Sequence, residues 1–243
     1  MTKSAGKSEE ARAFVLHSYP FRDTSVIVEA FTQHHGRLGL VARGAKRPKS
    51  ALRPALLSFQ PLLIAWSGRG ELRTLTRADW DGNLPPLSGM AMMCGYYLNE
   101  LLLKLLHRDD PHAVLFDAYA KALEALASGA RPEAVLREFE IILLREIGYA
   151  MEMLREIDSG AHLVAERRYS YLPERGPTAV GEGAPAAGGF ELYGKTLLDM
   201  ARGDFSDPTT AAESKTLMRW LLGHYLDQRS LDTRQLLVDL HNL

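Results

Sequence analysis

The chain has 243 residues, 46 % of them apolar, one cysteine, and 29 Lys+Arg against 30 Asp+Glu. This excludes wholesale disorder, a membrane-spanning run of roughly 18 apolar residues, an internal disulfide and a thiolate zinc cage; with a polar stretch at residues 1–10 in place of a signal peptide, a cytosolic chain is expected. The near-zero balance conceals a division: residues 1–80 hold 13 basic and 6 acidic side chains, a balance of +7, while residues 81–243 hold 16 and 24, a balance of −8, an asymmetry suggesting that one part meets a polyanion.

Residues 1–10 read as a flexible N-terminus. Ala13–His17 and the β-branched run Ser25–Phe31 read as strands, and His35-Gly36 marks a turn into a third, Arg37–Arg43. Leu62–Trp66 and Glu71–Arg77 follow, joined by the turn Ser67-Gly68-Arg69-Gly70; alternation puts Arg73, Leu75 and Arg77 on one face of the fifth strand. Five short strands joined by Gly-bearing turns in about 70 residues fit a closed five-stranded barrel of the oligonucleotide-binding (OB) type. The segment 36–53, GRLGLVARGAKRPKSALR, lies within it and holds Arg37, Arg43, Lys46, Arg47, Lys49 and Arg53 with no acid. Such a run is by itself more often a solvated loop than a phosphate-binding one, and its context decides.

At Leu84-Pro85-Pro86 the pattern changes. Residues 88–107 are apolar nearly all round, as in a helix buried among others. Asp110-Pro111 reads as cap and first residue of a helix to about Leu126, and Arg131-Pro132-Glu133 starts the next, with Gly148 as its stop. Further helices are expected at about 209–227 and 232–241, with a short one near 195–202. Residues 173–189, with five glycines and three prolines, read as a mobile loop joining two hairpin strands, Arg167–Leu172 and Phe190–Tyr193. The fold class is therefore α+β: a flexible segment 1–10, an OB-type domain 11–82 and a mainly helical domain 83–243.

From about residue 11 onward the chain resembles the bacterial recombination-mediator family RecO. The resemblance is carried by Ala13–Pro20 with Asp23-Thr24-Ser25, by Thr32 to Arg37 with Val41–Ala45, and by Gly68–Leu72 and Gly95–Leu102. It continues through Leu136–Glu140, Leu144–Tyr149, Lys215, Arg219 and Thr233–Leu237. Many members carry two CxxC pairs that form a zinc site; residues 150–193 here hold no cysteine, so the chain resembles the zinc-free branch and no metal or cofactor is expected.

The resemblance implies a non-enzymatic, cytoplasmic, nucleoid-associated protein of the RecF pathway of DNA repair and recombination. Such proteins bind single- and double-stranded DNA, anneal complementary strands and engage the acidic tail of single-stranded-DNA-binding protein. With RecR and RecF they load RecA. Given the barrel, Arg37, Arg43, Lys46, Arg47, Lys49, Arg53, Arg73 and Arg77 are the expected phosphate contacts. An acidic tail with an apolar tip needs an apolar pocket rimmed by cations. Leu98, Leu101, Leu102 and Leu105 are the candidate wall, and Arg137, Lys195, Lys215 and Arg219 the candidate rim. Arg137 and Lys215 stand where the family carries basic residues.

Other signals point to structure. Asp109-Asp110-Pro111-His112 suits a helix start better than a metal site, His34-His35 suits a turn, and Cys94, Tyr96 and Tyr97 suit packing. No GxxxxGK[ST], HExxH or GxSxG motif occurs. The rival reading is a protein–protein adaptor acting through the acidic helical half.

Overall fold

The computed structural model describes residues 9–180, 188–226 and 231–233; of the segment 1–10 expected to be flexible, residues 1–8 lie outside them, whereas Glu9 and Glu10 are strand residues paired with Trp66 and Ala65, and most of the expected helix 232–241 lies outside the described residues too. By internal contacts the chain divides into two compact units, with the division between residues 129 and 130.

The first unit is built on a barrel of β1 (Glu9–Phe21), β2 (Ser25–Thr32), β3 (Gly36–Ala42), β4 (Pro61–Ser67) and β5 (Leu72–Trp80), closed in the order β1-β2-β3-β5-β4. Neighbours are antiparallel except β3 and β5, which close the barrel in parallel over Gly39–Val41 and Leu72–Thr74. This is the OB-type architecture expected from the strand pattern. Small residues of β1 and β2 (Ala11, Ala13, Val15, Val28, Ala30) share the interior with large ones of β3 and β4 (Leu38, Leu40, Leu62, Ile64, Trp66). That mixture of sizes lets a narrow barrel fill without voids.

Two bulges break the alternation on which face assignments rest. In β1 the register shifts between Val15 and His17, so Leu16 is an extra residue. In β5 Leu75 pairs with Trp66 but Arg77 with Ala65, so Thr76 is extra. Leu75 and Ala78 are therefore buried, while Arg77, expected on the face of Leu75, is exposed.

Helices α2 (Gly89–Leu105) and α3 (Ala113–Ala127) belong to the same unit; α1 (Leu52–Ala55) is a single turn between β3 and β4. The outward Phe14 and Phe31 meet Phe116 and Tyr119 of α3 with ring centroids 5.1 to 6.3 Å apart. The extra residue in β1 has a partner in α2: Asn99 Nδ2 donates to the Leu16 carbonyl at 2.8 Å, and the Tyr119 hydroxyl donates to Asn99 Oδ1. The change in composition near residue 83 thus marks where strands give way to helices, not where packing is interrupted.

α3 starts later than expected. Its N-cap position is His112, with no side-chain cap bond, instead of Asp110. The reason is tertiary: residues 108–110 run along β3, where Arg108 bridges to Arg37, Asp109 N donates to the Arg37 carbonyl at 3.1 Å, and the Asp110 carbonyl occupies the place that a Cβ on Gly36 would need. Only glycine, here at φ 66°, admits that approach.

The second unit holds α4 (Pro132–Glu146), a sheet of β6 (Arg168–Leu172), β7 (Gly176–Ala179) and β8 (Phe190–Tyr193) in the order β7-β6-β8, then α5 (Gly194–Arg202) and α6 (Pro208–Tyr225). β6 and β8 form the expected antiparallel pair. β7 corrects the reading of 173–189 as a loop throughout: Thr178 and Ala179 pair with Ser170 and Tyr169, and Thr178 Oγ1 donates to the Ser170 carbonyl. Residues 181–187 of that segment lie outside the described residues. Phe139, Leu143 and Leu144 of α4 are buried, as are Leu197 and Met200 of α5 and Leu217, Met218 and Leu221 of α6. Among the described residues no helix is long and apolar enough to cross a membrane.

Candidate nucleic-acid interface

The loop from Arg43 to Arg53 has its own internal logic. Ala45 and Ala55 are buried in the barrel core, with Leu52 and Leu56 packed against it. The intervening Arg43, Lys46, Arg47, Lys49 and Arg53 are all exposed. Successive turn bonds hold the backbone: Arg47 N to the Gly44 carbonyl at 3.0 Å, Ser50 N to that of Arg47 at 3.0 Å and Arg53 N to that of Ser50 at 3.3 Å. Gly44, at φ 68°, makes the first reversal, in a region of backbone space that side chains with a Cβ rarely adopt. The alanines and leucines tie the loop down, and the cations face water.

The turn between β1 and β2 lies against this loop. Lys46 N donates to the Thr24 carbonyl at 2.9 Å, Gly44 N to Ser25 Oγ at 3.4 Å and Lys46 Nζ to the Arg22 carbonyl at 3.4 Å. Arg22 is exposed, so the fold adds a sixth cation to the patch. No sequence signal marks it, because only the pairing of β1 with β2 and β2 with β3 brings the two turns to one end of the barrel. None of Arg22, Arg43, Lys46, Arg47, Lys49 and Arg53 has an acidic partner among the described residues.

The other three expected contacts are arranged differently. Arg37 Nη1 donates to Glu29 Oε2 at 3.4 Å, and Arg108, which no sequence feature singles out, binds the second oxygen of that carboxylate. Burial pulls Arg37 below the ordinary arginine range, an effect that Glu29 opposes. Arg73 donates to Asp109 at 2.6 Å, and Arg77 binds Glu10 and Asp79. These three arginines are already matched by carboxylates. In this they differ from the loop cations, which have no acidic partner among the described residues.

The expected tail pocket is also redrawn. Leu98, Leu101 and Leu102 are 0 % exposed, core residues of the first unit that present no open wall; Leu105 is half-buried. An apolar helix flanked by a barrel on one side and α3 on another has its leucines inside, a distinction that helical spacing does not carry. The four cations belong to the second unit. Arg137 is buried and bound to Glu140, and Lys195 is bound to Asp199 and lies 3.4 Å from Asp207. Lys215 and Arg219 remain exposed, one helical turn apart on α6. Among the described residues no group of three or more His, Cys, Asp or Glu is gathered as a metal site, and Cys94 is buried.

A closed five-stranded OB-type barrel bearing an unneutralised basic loop, followed in sequence by a helical unit with a small sheet, defines the class of protein. Comparison with known proteins narrows it. Residues 7–83 match the family described as recombination protein O N terminal, and residues 87–235 the one described as recombination protein O C terminal. The chain is 50 % identical over 236 residues to the DNA repair protein RecO of Azoarcus sp. (strain BH72), with 97 % of each chain covered. It is also 50 % identical over 237 residues to that of Nitrosospira multiformis, with 98 % of each covered, and 52 % identical over 234 residues to that of Burkholderia orbicola, covering 96 % of this chain and 84 % of the relative. The chain belongs to the RecO family.

Proposed function

We propose that this chain is a DNA repair and recombination mediator that acts by binding: it holds single- and double-stranded DNA on the barrel, anneals complementary strands, and with RecR and RecF helps load RecA onto strands coated with single-stranded-DNA-binding protein. The observation that carries the reading is the group Arg22, Arg43, Lys46, Arg47, Lys49 and Arg53, six exposed cations with no acidic partner among the described residues, at one end of an OB-type barrel. Cations unmatched by local acids release the counterions condensed on nucleic acid when they meet phosphate, and that release drives binding. Six such contacts to a single strand correspond to a salt slope of about −4. Annealing needs little more than this. Neutralising the phosphates of two strands weakens their mutual repulsion, after which base pairing supplies the free energy.

The second part concerns the tail of the single-stranded-DNA-binding protein. Lys215 and Arg219 are the cations for its acids, since Arg137 and Lys195 already hold carboxylates of their own chain. Fluorescently labelled complementary oligonucleotides, bare or coated with single-stranded-DNA-binding protein, test the proposal directly. Annealing accelerates on adding the chain, and strands stay intact when Mg²⁺ is present. No acceleration on either substrate refutes the mediator reading, and Mg²⁺-dependent cleavage would make the chain an enzyme.

A further inference from the structure

The basic loop does not account for the surface beside it. Outward-facing positions of β1 beyond its bulge carry His17, Tyr19 and Phe21, running toward the turn that holds Arg22. His17 is exposed and Tyr19 is 45 % exposed, with their ring centroids 4.4 Å apart. The guanidinium of Arg22, a residue held at φ 53°, lies 5.2 Å from the Phe21 centroid. Lys46, anchored on the Arg22 carbonyl, places the loop cations at the end of the row. The row thus ends in positive charge. An exposed tyrosine side by side with a histidine, on the outer face of a strand past the part of it that fills the core, contributes nothing to the barrel interior that would explain it.

Resting on the function proposed above, we propose that His17, Tyr19 and Phe21 form a stacking platform for the unpaired bases of single-stranded DNA, adjoining the phosphate-binding loop. Two kinds of contact then divide the work. The loop cations meet phosphates, which single strands and duplexes both display. The rings meet base faces, which only an unpaired strand offers, because in a duplex each face is covered by its neighbours. The site therefore prefers the substrates of annealing to its product. When two strands pair on the barrel, their bases leave the rings, and the duplex is retained by phosphate contacts alone. The platform is a device for product release as well as for capture.

The experiment compares three labelled ligands of one length by fluorescence anisotropy across a series of salt concentrations: an oligothymidine, an abasic oligomer with the same phosphate backbone, and a duplex. The variants are His17→Ala with Tyr19→Ala, the conservative Tyr19→Phe, and the loop variant Lys46→Ala, Arg47→Ala, Lys49→Ala. The double ring variant loses about tenfold or more in oligothymidine affinity, keeps its affinity for the abasic oligomer and the duplex, and keeps its salt slope; Tyr19→Phe binds as the wild type does. The loop variant weakens on all three ligands. Wild-type oligothymidine affinity in the double ring variant, or an equal loss on all three ligands, overturns the platform while leaving the loop in place. A wild-type chain that binds none of the three removes the proposed function, and the platform with it.

Discussion

Glu29 Oε2 on β2 accepts a hydrogen bond from Arg37 Nη1 on β3 at 3.4 Å, and the glutamate is only 3 % exposed. Its other oxygen is held by Arg108 from the segment between α2 and α3. One buried carboxylate therefore joins two strands of the barrel to the helices packed on it. Removing one partner of a buried ion pair is costlier than the pair itself is favourable, because it leaves charge without compensation. Glu29→Ala is expected to destabilise the first unit by about 3 kcal/mol, read from the urea midpoint. Arg37→Ala destabilises less, since Glu29 keeps Arg108 as a partner, and leaves the salt slope of single-strand binding unchanged. A flattened slope would return Arg37 to the phosphate contacts.

The loop cations behave in the opposite way. Lys46→Ala, Arg47→Ala and Lys49→Ala together flatten the salt slope of DNA binding by about 2 to 3 units, with thermal stability unaltered, because these side chains are exposed and none is paired with an acid among the described residues. Salt titrations of single-strand and duplex binding check both halves of this statement. An unchanged slope takes the loop out of the site.

Asn99 links α2, α3 and the bulge of β1 through two hydrogen bonds, to Leu16 and from Tyr119. Asn99→Leu leaves a buried carbonyl and a buried hydroxyl without that partner, at a cost of about 1 to 3 kcal/mol for each. The expected result is a lower urea midpoint for the first unit with little change in the denaturant slope. A loss much below about 1 kcal/mol would mean that α2 is held on the barrel by apolar packing alone.

Asp207 caps α6, accepting from Thr210 N at 3.0 Å, and that bond, with help from Lys195, holds its carboxyl below the ordinary aspartate range. A lowered folded-state pKa stabilises the fold fully above the unfolded value of 3.8 and loses that contribution as pH falls through the folded value. Asp207→Asn keeps the capping oxygen and removes the charge. The melting temperature of the variant is therefore expected below that of the wild type at neutral pH, with the gap closing under acid conditions. A gap constant from neutral pH to acid would show that the charge contributes nothing.

Lys215→Ala with Arg219→Ala is expected to weaken binding of the acidic tail peptide about tenfold, measured by anisotropy, without lowering the melting temperature. Arg137→Ala is expected to lower the melting temperature, because it strips a partner from the fully buried Glu140. Unchanged peptide affinity in the double variant would move the tail site off α6.

Strand identity is largely legible in the residues themselves. The run Ser25–Phe31 is β-branched and apolar whatever surrounds it, and the Gly-bearing turns separate it from its neighbours, so β2 and β3 form within a residue or so of their expected limits. The face of a strand is legible only up to its first bulge. One extra residue at Thr76 moves Arg77 away from the face of Leu75 without changing any local preference. The start of α3 is displaced because Asp110-Pro111 is a sound local start signal, overridden by the pairing of residues 108–110 with β3. Among the candidate cations, acid-free sequence neighbours distinguish 43–53 well. They say nothing about Arg37 and Arg73, whose carboxylate partners lie 8 and 36 residues away.

Composition, periodicity and motif suffice for the family, the barrel-then-helices order, the +7 and −8 division and the acid-free loop, because each of these is a property of residues near one another in the chain. Which of those charges remain unpaired emerges only on folding, as does the arrival of the loop cations at Arg22, the residue that ends the row of His17, Tyr19 and Phe21. Charge neutralisation and ring contact act over a few ångströms in space. Chain pairing sets those distances, and sequence separation does not.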